Sequence, residues 1–293
     1  MNINDFNSLF GLDTPIRPIK IKKENTSAPI NKRNVLDKDV FEKTVEKPKF
    51  FDVEIEHICA KTKTPKKITV QINPQDKGVI YKKIFNKENK KIEKIPVQVN
   101  IAKSSDKHTV SYYFLEPETN KELGFVIIED WHLAKLNPAY DYYLDNSKLL
   151  DDFPELGIEG DRISIEYLQN NDEEHYSGIG KLSDQIAIEY CLQEGIEPNI
   201  LSLAEPNSHA AHYKRGRRFL PVDKYDKDLD YYEFVKEYGT NDPNQIIEKR
   251  IQETPKGQKV DTSDLFGIYM YMPQNVIQQY LEKVEDSPIL HQI

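Results

Sequence analysis

DRISIEYLQNNDEEHYSGIGKLSDQIAIEYCLQEG, residues 161–195, is the stretch whose reading decides the fold. Ile163, Ile165 and Tyr167 alternate with Ser164, Glu166 and Leu168, the period of a strand with two different faces. An acidic loop follows at Asp172, Glu173 and Glu174. Gly178 and Gly180 then stand ahead of a helical pattern in which Leu182, Ile186 and Tyr190 share one face. Gly195 sits where a left-handed residue stops a helix. A strand that runs through glycines into a helix gathers unpaired backbone N–H groups and the positive end of the helix dipole at one corner, which suits a phosphate. A side chain there holds the anion off the backbone, and the turn calls for positive φ. The same two glycines also serve a plain tight turn, and the pair alone does not choose between these readings.

The flanking residues extend the pattern. The segment resembles motif A of the GNAT superfamily of acyl-CoA-dependent N-acyltransferases, L-x-V-x-P-x-x-[QR]-x-x-G-x-[GA]. Leu168 takes the first position and Gly178 and Gly180 the glycines; Asn170 stands for Val, Asp172 for Pro and His175 for Gln or Arg. Downstream, residues 200–219, ILSLAEPNSHAAHYKRGRRF, are similar to motif B: Asn207 and Ala210 fit, Tyr213 and Gly216 fit one residue short, and Arg217 and Arg218 precede Phe219. Upstream, HTVSYYFLEP and KELGFVIIED read as a hairpin turning at residues 116–120, where the family carries an antiparallel pair. The resemblance covers roughly residues 100–290.

The resemblance implies an α/β fold with a mixed, mostly antiparallel central sheet flanked by helices. It implies acetyl-CoA as co-substrate and transfer of its acetyl group to a primary amine by direct attack. The strands at residues 168–170 and 200–204 then splay to admit the pantetheine arm. Cofactor contacts fall on Leu168, Gln169, Asn170, His175, Tyr176, Ser177, Gly178, Ile179, Gly180, Lys181 and Asn207, with the amides of residues 176–181 on the pyrophosphate. Tyr213 is assigned to the leaving thiolate, and Glu166, then Glu129, then Glu205, to the base that takes the amine proton. Each has a bland alternative: Tyr213 as a helix residue packed on the sheet, the glutamates as surface or salt-bridged groups. An inactive binding module of the same fold is the second reading.

A chain of 293 residues has room for a sizeable core. With 30% charged residues and a mean hydropathy of −0.68, it reads as soluble. No apolar stretch approaches the length of a membrane span and no secretory signal is legible, so a cytoplasmic location is expected. Cys59 and Cys191 have no CxxC partner, which argues against a disulfide framework or a structural zinc; Cys191 reads as a small core residue. His175, His209 and His212 lack carboxylate or Cys partners at ligand spacing, and no metal is expected.

Charge is uneven: 21 Lys and Arg against 13 Asp and Glu in the first hundred residues make +8, and the remainder carries −17. A nucleic-acid partner through this basic third is a further alternative. The lysines lack an RNP-like aromatic motif or zinc spacing, so solvated turns of a small sheet are favoured. Residues 1–48 hold no sustained period and read as a disordered leader, with a possible docking turn at Phe6, Leu9, Phe10 and Leu12. The domain is expected over 49–293, with a strand-rich part at 49–105. The aromatic, acidic insertion at residues 131–161 suggests a lid or substrate wall. Residues 222–262 read as a solvated insertion, FGIYMYMP as a late strand and NVIQQYLEKV as a closing amphipathic helix.

Overall fold

The strand signals of the sequence join into one sheet. A computed structural model describes residues 50–58, 62, 64–106, 109–130, 163–204, 208–220, 240, 242–265 and 269–291, all within one compact unit, Glu46–Ile293. In chain order the elements are β1 (Phe51–Ile58), β2 (Pro65–Asn86), β3 (Lys91–Asp106), β4 (Thr109–Leu115), β5 (Glu122–Asp130), β6 (Ile163–Asn170) and β7 (Tyr176–Ser177). Then come α1 (Ile179–Glu194), β8 (Ile200–Leu203), α2 (His209–Lys214), β9 (Arg218–Phe219), α3 (Pro243–Glu253), β10 (Tyr269–Tyr271) and α4 (Gln274–Asp286). The sheet order is β1-β2-β3-β4-β5-β6-β8-β10-β9, with β7 paired to β2. β6 and β8 run parallel; the other pairs are antiparallel. The fold is thus mixed α/β, with a large, mostly antiparallel sheet and few helices. None of the described helices is long and apolar enough to cross a membrane.

The central strands are apolar on both faces because both are covered. Along β4, Val110, Tyr112 and Phe114 enter a core shared with α1 and α4, while Tyr113 and Leu115 enter another with Ile55 of β1 and Val70 and Ile72 of β2. α1 is buried at Ile179 and from Leu182 to Cys191. Its sheet-facing side carries Leu182, Ile186 and Tyr190, and the Tyr190 hydroxyl donates to the Asp130 carboxylate at 2.7 Å, tying the helix to the end of β5. Its outer side is polar and buried too. There the Glu189 carboxylate accepts from the backbone N–H of Ile289 (2.9 Å) and Leu290 (2.6 Å), which holds the segment after α4 across the helix.

One irregularity matters for the site. The β5–β6 register steps from Ile127↔Tyr167 to Ile128↔Ile165, so Glu166 is an extra, bulged residue. The simple alternation expected across 163–168 therefore changes side at this point. Ile163 and Ile165 face the α1 core, Tyr167 joins the opposite core and Leu168 returns to the first.

Two expectations are corrected. Within residues 222–262, Pro243 to Glu253 form α3, capped by the Asp242 carboxylate accepting from Asn244 N–H at 2.9 Å, and Ile246 and Ile247 are buried. The lysines read as turn residues instead lie largely within strands: Lys66, Lys67, Lys82 and Lys83 in β2 and Lys91 in β3. Beyond the part of β2 paired to β7, residues 83–86 pair only with 91–94, a two-stranded ribbon that leaves Phe85 60% and Ile92 64% exposed. The leader, the insertion at 131–161, the acidic series from Asp223 to Asp230, Glu205 and Asn207 lie outside the described residues.

Candidate functional site

β6 and β8 pair over only three residues, Ile163↔Ile200, Ser164↔Leu201 and Ile165↔Ser202. The pairing stops at the Glu166 bulge. Beyond it, β6 continues to Asn170 beside β5 while β8 ends at Leu203, and a cleft of about 860 Å³ opens between them. Glu166, Tyr167, Leu168, Gln169 and Asn170 form one wall; Ser202, Leu203, Ala204, Ser208, Ala211 and His212 form the other.

The closed end of the cleft is the start of α1. Gly178 is its N-cap at φ 98°, a conformation an L side chain resists, and no side chain caps the helix. The first intrahelical bond runs from Leu182 N–H to the Gly178 carbonyl. Helix geometry therefore leaves the amides of Ile179, Gly180 and Lys181 without intrahelical acceptors. Ser177 beside them has a buried hydroxyl with no protein partner among the described residues. The loop is pinned from the other side: Tyr81 and Lys82 of β2 pair with Ser177 and Tyr176, and Lys83 N–H donates to the His175 carbonyl at 2.6 Å. Its fold is set by short polar residues: Asn170 Nδ2 donates to the Tyr176 carbonyl at 3.1 Å, and Asn170 Oδ1 accepts from Asp172 N–H. The Asn170 and Asp172 departures from the motif thus shape this turn.

A buried ionic cluster sits behind the helix start. Asp184 of α1 accepts from Arg217 Nη2 at 2.6 Å and from Arg215 Nε at 2.9 Å. Burial raises the Asp184 carboxyl, and the two guanidiniums outweigh it, leaving the pKa below the ordinary 3.8. Arg217 is fully buried and also donates to Ser202 Oγ at 2.8 Å. His212 Nδ1 lies 2.9 Å from Arg215 Nη2, and since a guanidinium only donates, Nδ1 accepts and the proton of the neutral ring is on Nε2. Burial, then the Arg215 and Arg217 charges, hold the His212 pKa well below 6.5.

No protein family matches the chain, and no curated protein is similar enough to match it.

Of the residues singled out from sequence, Leu168, Gln169, Asn170, Tyr176, Ser177, Gly178, Ile179, Gly180 and Glu166 line the cleft together. His175 and Lys181 are exposed and are not part of the lining; the His175 ring turns back to the Asp172 carboxylate at 2.7 Å. Glu129 is buried at the far end of β5, opposite Thr109 and Ser164. Tyr213 packs against the core of α2, α3 and β10 under the Arg218 guanidinium, 4.3 Å above its ring, and does not line the cleft. Lys83 and Arg215 also line the cleft, where the sequence pattern gives them no role. Lys83 lies ninety residues before the loop carbonyl it binds, that of Glu173, so no local spacing announces it. Arg215 adjoins the recognised Tyr213 and Gly216 and was within reach of a reading that weighed cations near the helix start.

Proposed function

We propose that the cleft binds an acyl-CoA and that the protein is an N-acetyltransferase with a GNAT-like sheet. The observation that carries this reading is the parting of two parallel strands at a bulge directly in front of an uncapped, glycine-led helix start. The gap suits an extended amide chain such as pantetheine, and the spare amides at its end suit a diphosphate. In the proposed reaction the amine lone pair attacks the thioester carbonyl, the C–N bond forms, and the C–S bond breaks to release thiolate. Glu166 lines the cleft and takes the proton that the amine must lose. Tyr213 faces elsewhere, so the departing sulfur is assigned to His212, whose Nε2–H donates a hydrogen bond as charge develops; water then supplies the thiol proton.

The position of Tyr213 favours the second reading, a module that binds acyl-CoA without turnover. One experiment separates the two: thiol release from acetyl-CoA with a panel of primary amines, alongside melting of the protein with and without acetyl-CoA. Amine-dependent thiol release supports the enzyme. A raised melting temperature without release supports the module, and neither effect removes acyl-CoA from this cleft.

A further inference from the structure

The start of α1 has no acidic residue in its first turn and no side-chain cap, so the helix itself supplies nothing to offset the positive pole of its dipole. A second positive group lies against this end. A Cβ at Gly180 would stand 2.7 Å from Arg215 Nη1 and 2.8 Å from Cζ, so the guanidinium rests directly on the first turn, and glycine is what admits it. Asp184 is shared by Arg215 and Arg217, and these three side chains sum to one positive charge. His212 adds none, since its Nδ1 accepts from Arg215. A guanidinium has five N–H donors. Arg215 gives one to Asp184, one to His212 and one, at 3.4 Å, to the Ala211 carbonyl. Two are left on a side chain that lines the cleft. Two like-signed groups in contact repel, and an anion bound to both offsets the repulsion.

We propose that Arg215 grips the phosphate end of the acyl donor, its two remaining N–H donors and the adjoining amides of Ile179, Gly180 and Lys181 binding one diphosphate together. It supplies the cation that His175, turned towards Asp172, does not bring to the cleft. The proposal rests on the acyl-CoA reading, and its test separates the two. Affinities of the full chain and of Arg215→Gln, Arg215→Lys and Gly180→Ala are measured for acetyl-CoA, for S-acetylpantetheine, which lacks the diphosphate, and for inorganic pyrophosphate.

Arg215→Gln is expected to weaken acetyl-CoA and pyrophosphate by roughly 10- to 100-fold and leave S-acetylpantetheine unchanged, with Arg215→Lys in between. Gly180→Ala keeps the charged side chain and displaces its guanidinium, so the same selective loss is expected without removal of the charge. Equal weakening of acetyl-CoA and S-acetylpantetheine makes Arg215 a scaffold residue and overturns the proposal, as does unchanged acetyl-CoA affinity in Arg215→Gln. Pyrophosphate binding that depends on Arg215, without acetyl-CoA binding, keeps the clamp and removes the acyl-CoA reading. Wild-type protein that binds neither anion overturns both.

Discussion

Arg217 and Asp184 are both withdrawn from water and joined at 2.6 Å, one from the strand side of the cleft and one from the helix that closes it. Removing one partner of such a pair leaves a charge in a poor solvent. Asp184→Asn is expected to lower unfolding stability by roughly 3–5 kcal/mol, read from urea titrations. Because the folded Asp184 pKa is below 3.8, its contribution is present above that value and is lost as pH falls through the folded pKa.

A separate loss begins at milder acidity. His209 is fully buried, with Nδ1 3.0 Å from Thr262 Oγ1, and burial lowers its pKa to about 4 against the opposing pull of Asp264; His212 is lowered as well. Both rings bind protons more weakly folded than unfolded. The contribution of these two rings is therefore constant above pH 6.5 and is lost from there towards pH 4, by about 3 kcal/mol for His209. Urea midpoints across this window check the slope, and His209→Asn should flatten part of it.

Glycines 178 and 195 both have positive φ but different neighbours. A Cβ at Gly178 would stand 3.1 Å from Tyr81 Cδ2, whereas one at Gly195 meets nothing within 4 Å. Gly178→Ala should cost about 1–2 kcal/mol or more in thermal unfolding, while Gly195→Asn is nearly neutral. Gly178→Glu should also abolish the rise in melting temperature given by acetyl-CoA; a retained shift would place the ligand elsewhere.

Much of this architecture is legible in local pattern. The strand, glycine loop and helix of residues 163–195 and the hairpin of β4 and β5 follow from periodicity and turn chemistry. The Glu166 bulge does not, because alternation looks the same whether or not one residue is squeezed out of register; only the partner strand reveals it. Lys83 and Asp184 escape for a related reason. Lys83 reaches the loop from a strand far upstream, and Asp184 sits on what reads as the wet face of a helix. That face is dry because α4 and the segment after it lie across α1, a tertiary fact with no local signal.

That segment is the basis of another expectation. Truncation after Asp286 removes two N–H donors from the buried Glu189 carboxylate and the buried side chains of Ile289 and Leu290. The loss should be roughly 3 kcal/mol or more, visible as a lower melting temperature.

For the proposed chemistry, Glu166→Gln should lower kcat for thiol release by about 10²- to 10⁴-fold while leaving acetyl-CoA affinity unchanged. An undiminished kcat would assign the proton to another group.

The bulge at Glu166 also makes the cleft depend on the length of one strand. Excising that single residue would let β6 zip straight along its neighbours, with Ile165, Tyr167 and Leu168 keeping the cores they already face. A three-nucleotide deletion is thus a sharper probe of this protein than any substitution, since it edits the opening itself and spares all the groups around it.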